Sequence, residues 1–184
     1  MPDEEEKRLH RCCFSGQRPE KLDASEADVK QWLEEQIDRA VAEGYLTFIS
    51  GCGMGVDLWA GQIVLKKKER DPALHLIAAF PWPGFPSRWN AFWRGQFDAL
   101  IRNADLALAV SDHYHEGVFR QRNEWLVNHS HRLIACFNGA PGGTKDMIDY
   151  ARSRQIEVVT LLPSGDSASD EKRRPEEDGP SPAP

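Results

Sequence analysis

The sequence predicts a single α/β domain built on a doubly wound sheet of mainly parallel strands, and three observations predict it. Short apolar runs alternate along the chain with stretches of helical period. Most of those runs are continuously apolar, which suits parallel strands buried on both faces. With 184 residues, 40% of them hydrophobic, the chain can fill one core.

The elements follow in order. Arg11 to Phe14 reads as the first strand. A helix begins at about Ser25, where Ser25 and Asp28 make a capping-box start. Val29, Trp32, Leu33, Ile37, Ala40 and Val41 form its apolar stripe, and Gly44 stops it. Further strands are expected at Leu46 to Ile49, Leu74 to Ala79, Leu106 to Val110, Leu133 to Phe137 and Glu157 to Leu162. Helices fall between them at about Val56 to Arg70, Pro86 to Arg102, Val118 to His129 and Thr144 to Arg154. The result is a series of strand-helix-strand units with right-handed crossovers. Residues 1–10 are expected to be a flexible lead-in and residues 11–162 the folded domain. Residues 163–184 are rich in Pro, Ser and charge, cannot offset their own ordering entropy, and are expected to form a disordered tail.

The formal net charge is -6, but Met1 to Arg8 carries -2 and Pro163 to Pro184 carries -3, leaving about -1 between them. A protein that grips nucleic acid mainly through phosphates shows a basic excess, so nucleic acid is an unlikely partner. The acidic N-terminus lacks a secretory pattern and no stretch approaches 18 apolar residues, so a cytoplasmic protein without a membrane partner is expected. Cys12 and Cys13 should face opposite sides of one strand, with Cys52 and Cys136 elsewhere, so free thiols are expected.

In an open parallel sheet, ligands bind beyond the carboxyl ends of the strands. The loops at that edge are chemically distinctive: Ser15-Gly16-Gln17-Arg18-Pro19, then Ser50-Gly51-Cys52-Gly53-Met54-Gly55-Val56-Asp57, then Pro81-Trp82-Pro83, Ser111 to Tyr114, and Asn138 to Thr144 with Gly142-Gly143-Thr144. Glycines let backbone N–H groups approach an anion at the positive end of the following helix. The plainer reading, a tight turn that needs positive φ, stands beside it, and Thr144 reads equally as an N-cap. Asp57 is either a carboxylate complementing the helix dipole or a ribose contact and catalytic base. Arg18, Arg120 and Arg122 are candidate phosphate forks, and Trp82, Trp89 and Trp93 either stack on a base or pack in the core. Together with Tyr114 and Asn123, these loops supply the candidate ligand-binding residues.

Other chemistries are disfavoured. No G-x-x-x-x-G-K-[ST] motif occurs, the glycine cluster follows the second strand, and no acidic residue ends the next strand to hold a ribose. His113 and His115 follow a strand while His129 and His131 precede one, so the sheet separates them and no metal site is expected. A Cys52 nucleophile would need a neighbouring base, which only His113 could offer.

The segments Phe14 to Pro19, Ile49 to Asp57, Phe119 to Asn123, Gly142-Gly143-Thr144 and Tyr150-Ala151 together resemble the YpsA-like branch of the SLOG superfamily, over about Cys12 to Leu161. The resemblance implies a Rossmann-like domain related to the DprA (Smf) DNA-processing proteins and the Lonely-guy phosphoribohydrolases. It also implies sensing or processing of a nucleotide-derived ligand such as ADP-ribose, NAD or AMP, with no obligatory cofactor. Lonely-guy enzymes carry a P-G-G-x-G-T-x-x-E motif, whereas Pro141-Gly142-Gly143-Thr144 here is followed by Lys145-Asp146-Met147 and lacks the glutamate. The first expectation is therefore a nucleotide-binding sensor. The alternatives are an N-glycosidase that uses Asp57, or Asp146 in its place, and a DprA-like binder of single-stranded DNA. A homo-oligomer is left open, and the sequence names no protein partner.

Overall fold

The computed structural model describes residues 1–161. The tail expected at residues 163–184 lies outside the described residues. A six-stranded, all-parallel sheet in the order β4-β3-β2-β1-β5-β6 is built from β1 (Arg11–Gly16), β2 (Thr47–Ser50), β3 (His75–Phe80), β4 (Leu106–Ala109), β5 (Arg132–Cys136) and β6 (Glu157–Leu161). The helices are α1 (Glu4–Arg8), α2 (Glu26–Ala42), α3 (Val56–Lys68), α4 (Ala91–Asn103), α5 (Val118–Asn128) and α6 (Gly143–Ser153). This is the doubly wound, Rossmann-like arrangement expected.

Two packed layers enclose the sheet because its central strands are apolar on both faces. Val29, Leu33 and Ile37 of α2, Leu58 and Val64 of α3, and Phe97 and Leu100 of α4 pack in one core with Cys12, Phe14 and Phe48. Leu126 and Val127 of α5 and Met147, Ile148 and Ala151 of α6 pack in the other with Cys13, Ile49 and Leu133. Cys12 and Cys13 thus face opposite layers, as the two-residue period requires. All four cysteines are free and buried.

Several boundaries moved for local reasons. The run Leu106 to Ala109 reads as a buried strand but forms the sheet edge, where Leu106 is 50% exposed. Helix α4 starts at Ala91 and not near Pro86, because Asn90 caps it by accepting the Trp93 N–H at 3.0 Å. Residues 82–89 form successive tight turns instead. The expected flexible lead-in contains α1, a short helix closed by an Asp3/Glu6 capping box. Arg8 donates from it to the Ser130 carbonyl at 3.0 Å.

At the amino edge of the sheet, Arg132 is 5% exposed, pairs with Glu43 and Glu157, and lies 4.5 Å over the Tyr45 ring. The Tyr45 hydroxyl and His131 Nδ1 are 2.8 Å apart. His129 and His131 sit at this edge, while His113 and His115 lie beyond β4 at the other. No group of three or more metal-ligating side chains occurs among the described residues. No helix there is long and apolar enough to cross a membrane.

Candidate functional site

The chain runs outward from β1 to β4 and then returns through α5 to place β5 against the other side of β1. That reversal leaves a crevice beyond the carboxyl ends of β1 and β5, where open α/β sheets take their ligands. Here it is a cleft of about 1460 Å³, lined by the candidate ligand-binding residues except Ser50, Gly51, Gly55 and Arg120. Ser15, Gly16, Gln17 and Arg18 come from the end of β1, Gly53, Met54 and Asp57 from the start of α3, and Arg122 and Asn123 from α5. Trp82 and Tyr114 line it from two loops, and Gly142, Gly143 and Thr144 from the start of α6. Arg120 is absent from the lining and pairs with Glu124, and Asp146 is exposed outside it.

A polar clasp forms the floor. Gln17 Oε1 accepts the Asn138 N–H at 2.7 Å, and Gln17 Nε2 donates to Asn138 Oδ1. Asn138 Nδ2 in turn donates to the Lys21 carbonyl at 2.8 Å. Gln17 is therefore occupied in tying β1 to β5. Asn138 opens the last of the distinctive loops, but its pairing with Gln17 is not readable from the sequence, and Phe85, Ser87 and Arg88 line the cleft without having been singled out there.

The glycine loop divides its labour. Ser50 is fully buried, donates to the Asp57 carbonyl at 2.8 Å and accepts the Cys52 N–H at 3.1 Å, so it pins the turn. Gly55 has φ +89°, and a Cβ there would lie 2.8 Å from Pro19 Cδ. It serves the turn. Gly51 accepts from Arg122 through its carbonyl. At α6 the situation differs: Gly142 has φ +145°, and a Cβ on Gly142 or Gly143 would meet nothing within 4 Å. Those two glycines border open cleft.

The five helices that begin at this edge fall into two groups. Ser25 and Asn90 cap α2 and α4 with their side chains. Helices α3, α5 and α6 start on Gly55, Gly117 and Gly142, and no side chain caps them. Leu58 and Val118 donate to the loop carbonyls of Gly53 and His115, while the remaining first-turn amides lack intrahelical and side-chain partners and carry the positive end of the helix dipole.

Asp57 sits among them. It is 9% exposed, and its Oδ2 accepts the Gly53 N–H at 3.0 Å. The buried Oδ1 has no hydrogen-bond partner among the described residues. Burial raises its pKa from 3.8 to about 6, against the opposing pull of Arg122 and the Gly53 amide. Arg122 is 8% exposed and donates from Nε to Asn123 Oδ1 at 2.8 Å. Desolvation lowers its pKa, while Asp57 opposes that. A buried carboxyl with one idle oxygen and a pKa near neutrality marks a functional candidate. It can accept a hydrogen bond from a hydroxyl or move a proton.

Cys52 has the opposite character. It is fully buried with φ +63°, and burial pushes its thiol up to about 12. That environment suppresses the thiolate a nucleophile needs.

Comparison with known proteins identifies relatives of the chain and of its fold. A UPF0398 protein of Halalkalibacterium halodurans is 28% identical over 130 residues, covering 69% of each chain. A UPF0398 protein of Staphylococcus saprophyticus is 26% identical over 121 residues, covering 64% of each. Among solved structures, DNA processing protein A from Helicobacter pylori, studied for its single-stranded DNA binding mode, superposes with a TM-score of 0.61 at 18% identity. The match covers 84% of this chain and 65% of that one. DNA processing protein A from Streptococcus pneumoniae gives 0.61 at 17%, over 83% of this chain and 50% of that one. The chain thus spans half to two thirds of the DNA processing proteins' length. At these identities the likeness shows the shared fold. The sequence profile described as YpsA, YspA SLOG family, matches residues 12–160, and the chain belongs to that family.

Proposed function

We propose that the protein binds a nucleotide-derived small molecule in the cleft at the β1/β5 reversal. One observation carries this: the uncapped start of α6 on Gly142 and Gly143 borders the same cleft as Asp57, the buried carboxyl of the first turn of α3. Unpaired amides at helix starts favour a phosphate, and a buried carboxylate oxygen favours a sugar hydroxyl. A phosphorylated ribose offers both groups at once. ADP-ribose, NAD and AMP are the compounds to test.

Binding stabilises a fold by mass action, about 2.7 kcal/mol at a ligand concentration 100 times Kd. Thermal unfolding with each compound should therefore rise by several degrees, and Gly143→Val should remove the rise without lowering the unliganded midpoint. Gly55→Val is unsuitable, since its effect would come from Pro19 and the positive φ. No shift with any nucleotide of a broad panel refutes the proposal.

Asp57 favours a second reading, cleavage of the base-ribose bond, because its pKa near 6 suits proton transfer at neutral pH. Release of free base over time, abolished by Asp57→Asn, is the required signature. The likeness to the DNA processing proteins motivates a third, single-stranded DNA binding. That reading requires oligonucleotide affinity that falls steeply with salt.

A further inference from the structure

The cleft has a second arm that phosphate and ribose do not explain. Trp82 stands at its centre, with Tyr114 at 5.2 Å, Phe85 at 5.4 Å and Phe119 at 5.6 Å between ring centroids. The interplanar angles of 70°, 72° and 81° make all three contacts edge-to-face. In an edge-to-face pair the edge of one ring covers a face of the other, so stacking area is left only on rings that are themselves exposed. Tyr114 is 63% exposed and Phe119 45% exposed, although both line the cleft. Large apolar side chains left in water within a concave site mark a place where a ligand covers them.

The arm belongs to the same cleft as Asp57 and the α6 start, which set the polar end. At about 1460 Å³, that cleft exceeds the roughly 300 to 1,000 Å³ usual for a single drug-sized ligand. Tyr114 and Phe119 are carried on the loop between β4 and α5 and on the first turn of α5, outside the glycine loops.

We propose that Trp82, Tyr114 and Phe119 form a stacking subsite for a planar heteroaromatic ring, held in the same cleft as the phosphate end of the occupant. The proposal rests on the nucleotide reading and deepens it: the occupant is a two-ended molecule, anionic at one end and a flat ring at the other. The ring is supplied either by a free dinucleotide-like compound or by a base of a single strand.

Calorimetric titration of the full chain tests this with four probes: ribose 5-phosphate, AMP, NAD and a short oligothymidylate. The variants are Tyr114→Ala and Phe119→Ala, both at exposed positions where the fold tolerates truncation, with Tyr114→Phe as the conservative control. Gly143→Val, at the phosphate end, is the reference. Stacking on an aromatic side chain is worth about 1 to 3 kcal/mol per base, so each alanine variant should weaken NAD binding by about five- to 150-fold. Ribose 5-phosphate should bind these variants as it binds the wild type, and Tyr114→Phe should retain NAD affinity. Oligothymidylate binding tighter than NAD, with the same dependence on Tyr114 and Phe119, supports the subsite and assigns its ring to a strand. NAD affinity unchanged in both alanine variants but lost in Gly143→Val overturns the subsite and leaves the nucleotide reading intact. No binding of any probe to the wild type overturns both.

Discussion

Replacing Asp57 by Asn separates what this carboxylate costs the fold from what it offers a ligand. Burial lifts its pKa from 3.8 to about 6 even with Arg122 and the Gly53 amide pulling down, so desolvation outweighs both. The folded state therefore holds the proton more tightly than the unfolded chain does. Stability from this group is fully present below about pH 4 and is lost as pH rises through about 6. At about 1.4 kcal/mol per unit of pKa, the ionised side chain costs the fold about 3 kcal/mol at pH 7.5. Asparagine removes the charge and keeps an oxygen for the Gly53 N–H. Losing one partner of a buried ion pair costs about 3 to 5 kcal/mol, which would reverse the sign if Arg122 depended on Asp57. Arg122, however, already donates to the Gly51 carbonyl and to Asn123 Oδ1. Asp57→Asn should then be at least as stable as the wild type at pH 7.5, with a gain of up to about 3 kcal/mol. The assay is thermal or urea unfolding of both proteins from pH 4 to 8.5. The wild type should lose stability between about pH 4 and 6 relative to the variant, whose profile lacks that contribution. A variant that melts below the wild type at pH 7.5 refutes the reasoning and makes Asp57 a structural counter-ion.

Other expectations are simpler. Gly16→Ala would place a Cβ 2.3 Å from Val56 Cγ2, and such overpacking should cost about 1 to 3 kcal/mol in urea unfolding; an unchanged midpoint would show that α3 gives way freely. A thiol reagent should modify none of the four buried cysteines in the native protein and all four in guanidinium, and rapid native labelling of Cys52 would contradict its burial. Arg132→Ala should lower stability by about 2 kcal/mol, below the cost for a fully buried pair because Glu43 and Glu157 are half exposed. A denaturant midpoint equal to the wild type's would show that this cluster contributes nothing.

Much of the fold was legible because local pattern and tertiary role coincide. The α2 stripe of Val29, Leu33, Ile37 and Ala40 is fully buried, and the runs of β1, β2 and β5 lie in the sheet interior. The run in β4 could not be distinguished from them, since an edge strand and a central strand share the same apolar residues. In the site, the glycines advertised a special backbone but not what occupies the space of each missing Cβ. Val56 fills it at Gly16 and Pro19 at Gly55, while open cleft fills it at Gly143. That distinction depends on residues brought together only by folding. The Gln17 to Asn138 clasp was hidden for the same reason, with 121 residues between its partners. Asp57 was visible as a first-turn carboxylate, but its idle oxygen emerges only once Gly53 and Arg122 close around it.

The uneven capping of the helices has a consequence for how long the protein lasts in a cell. The α6 start, uncapped and open to the cleft, is an unmet demand that water satisfies only partly and the proposed occupant would satisfy better. Proteases act on the opened chain, so the empty form should be degraded faster than the filled one. Under the proposed function, the quantity of protein at steady state would follow the supply of the bound nucleotide derivative, a slow record of metabolite abundance that needs no conformational switch.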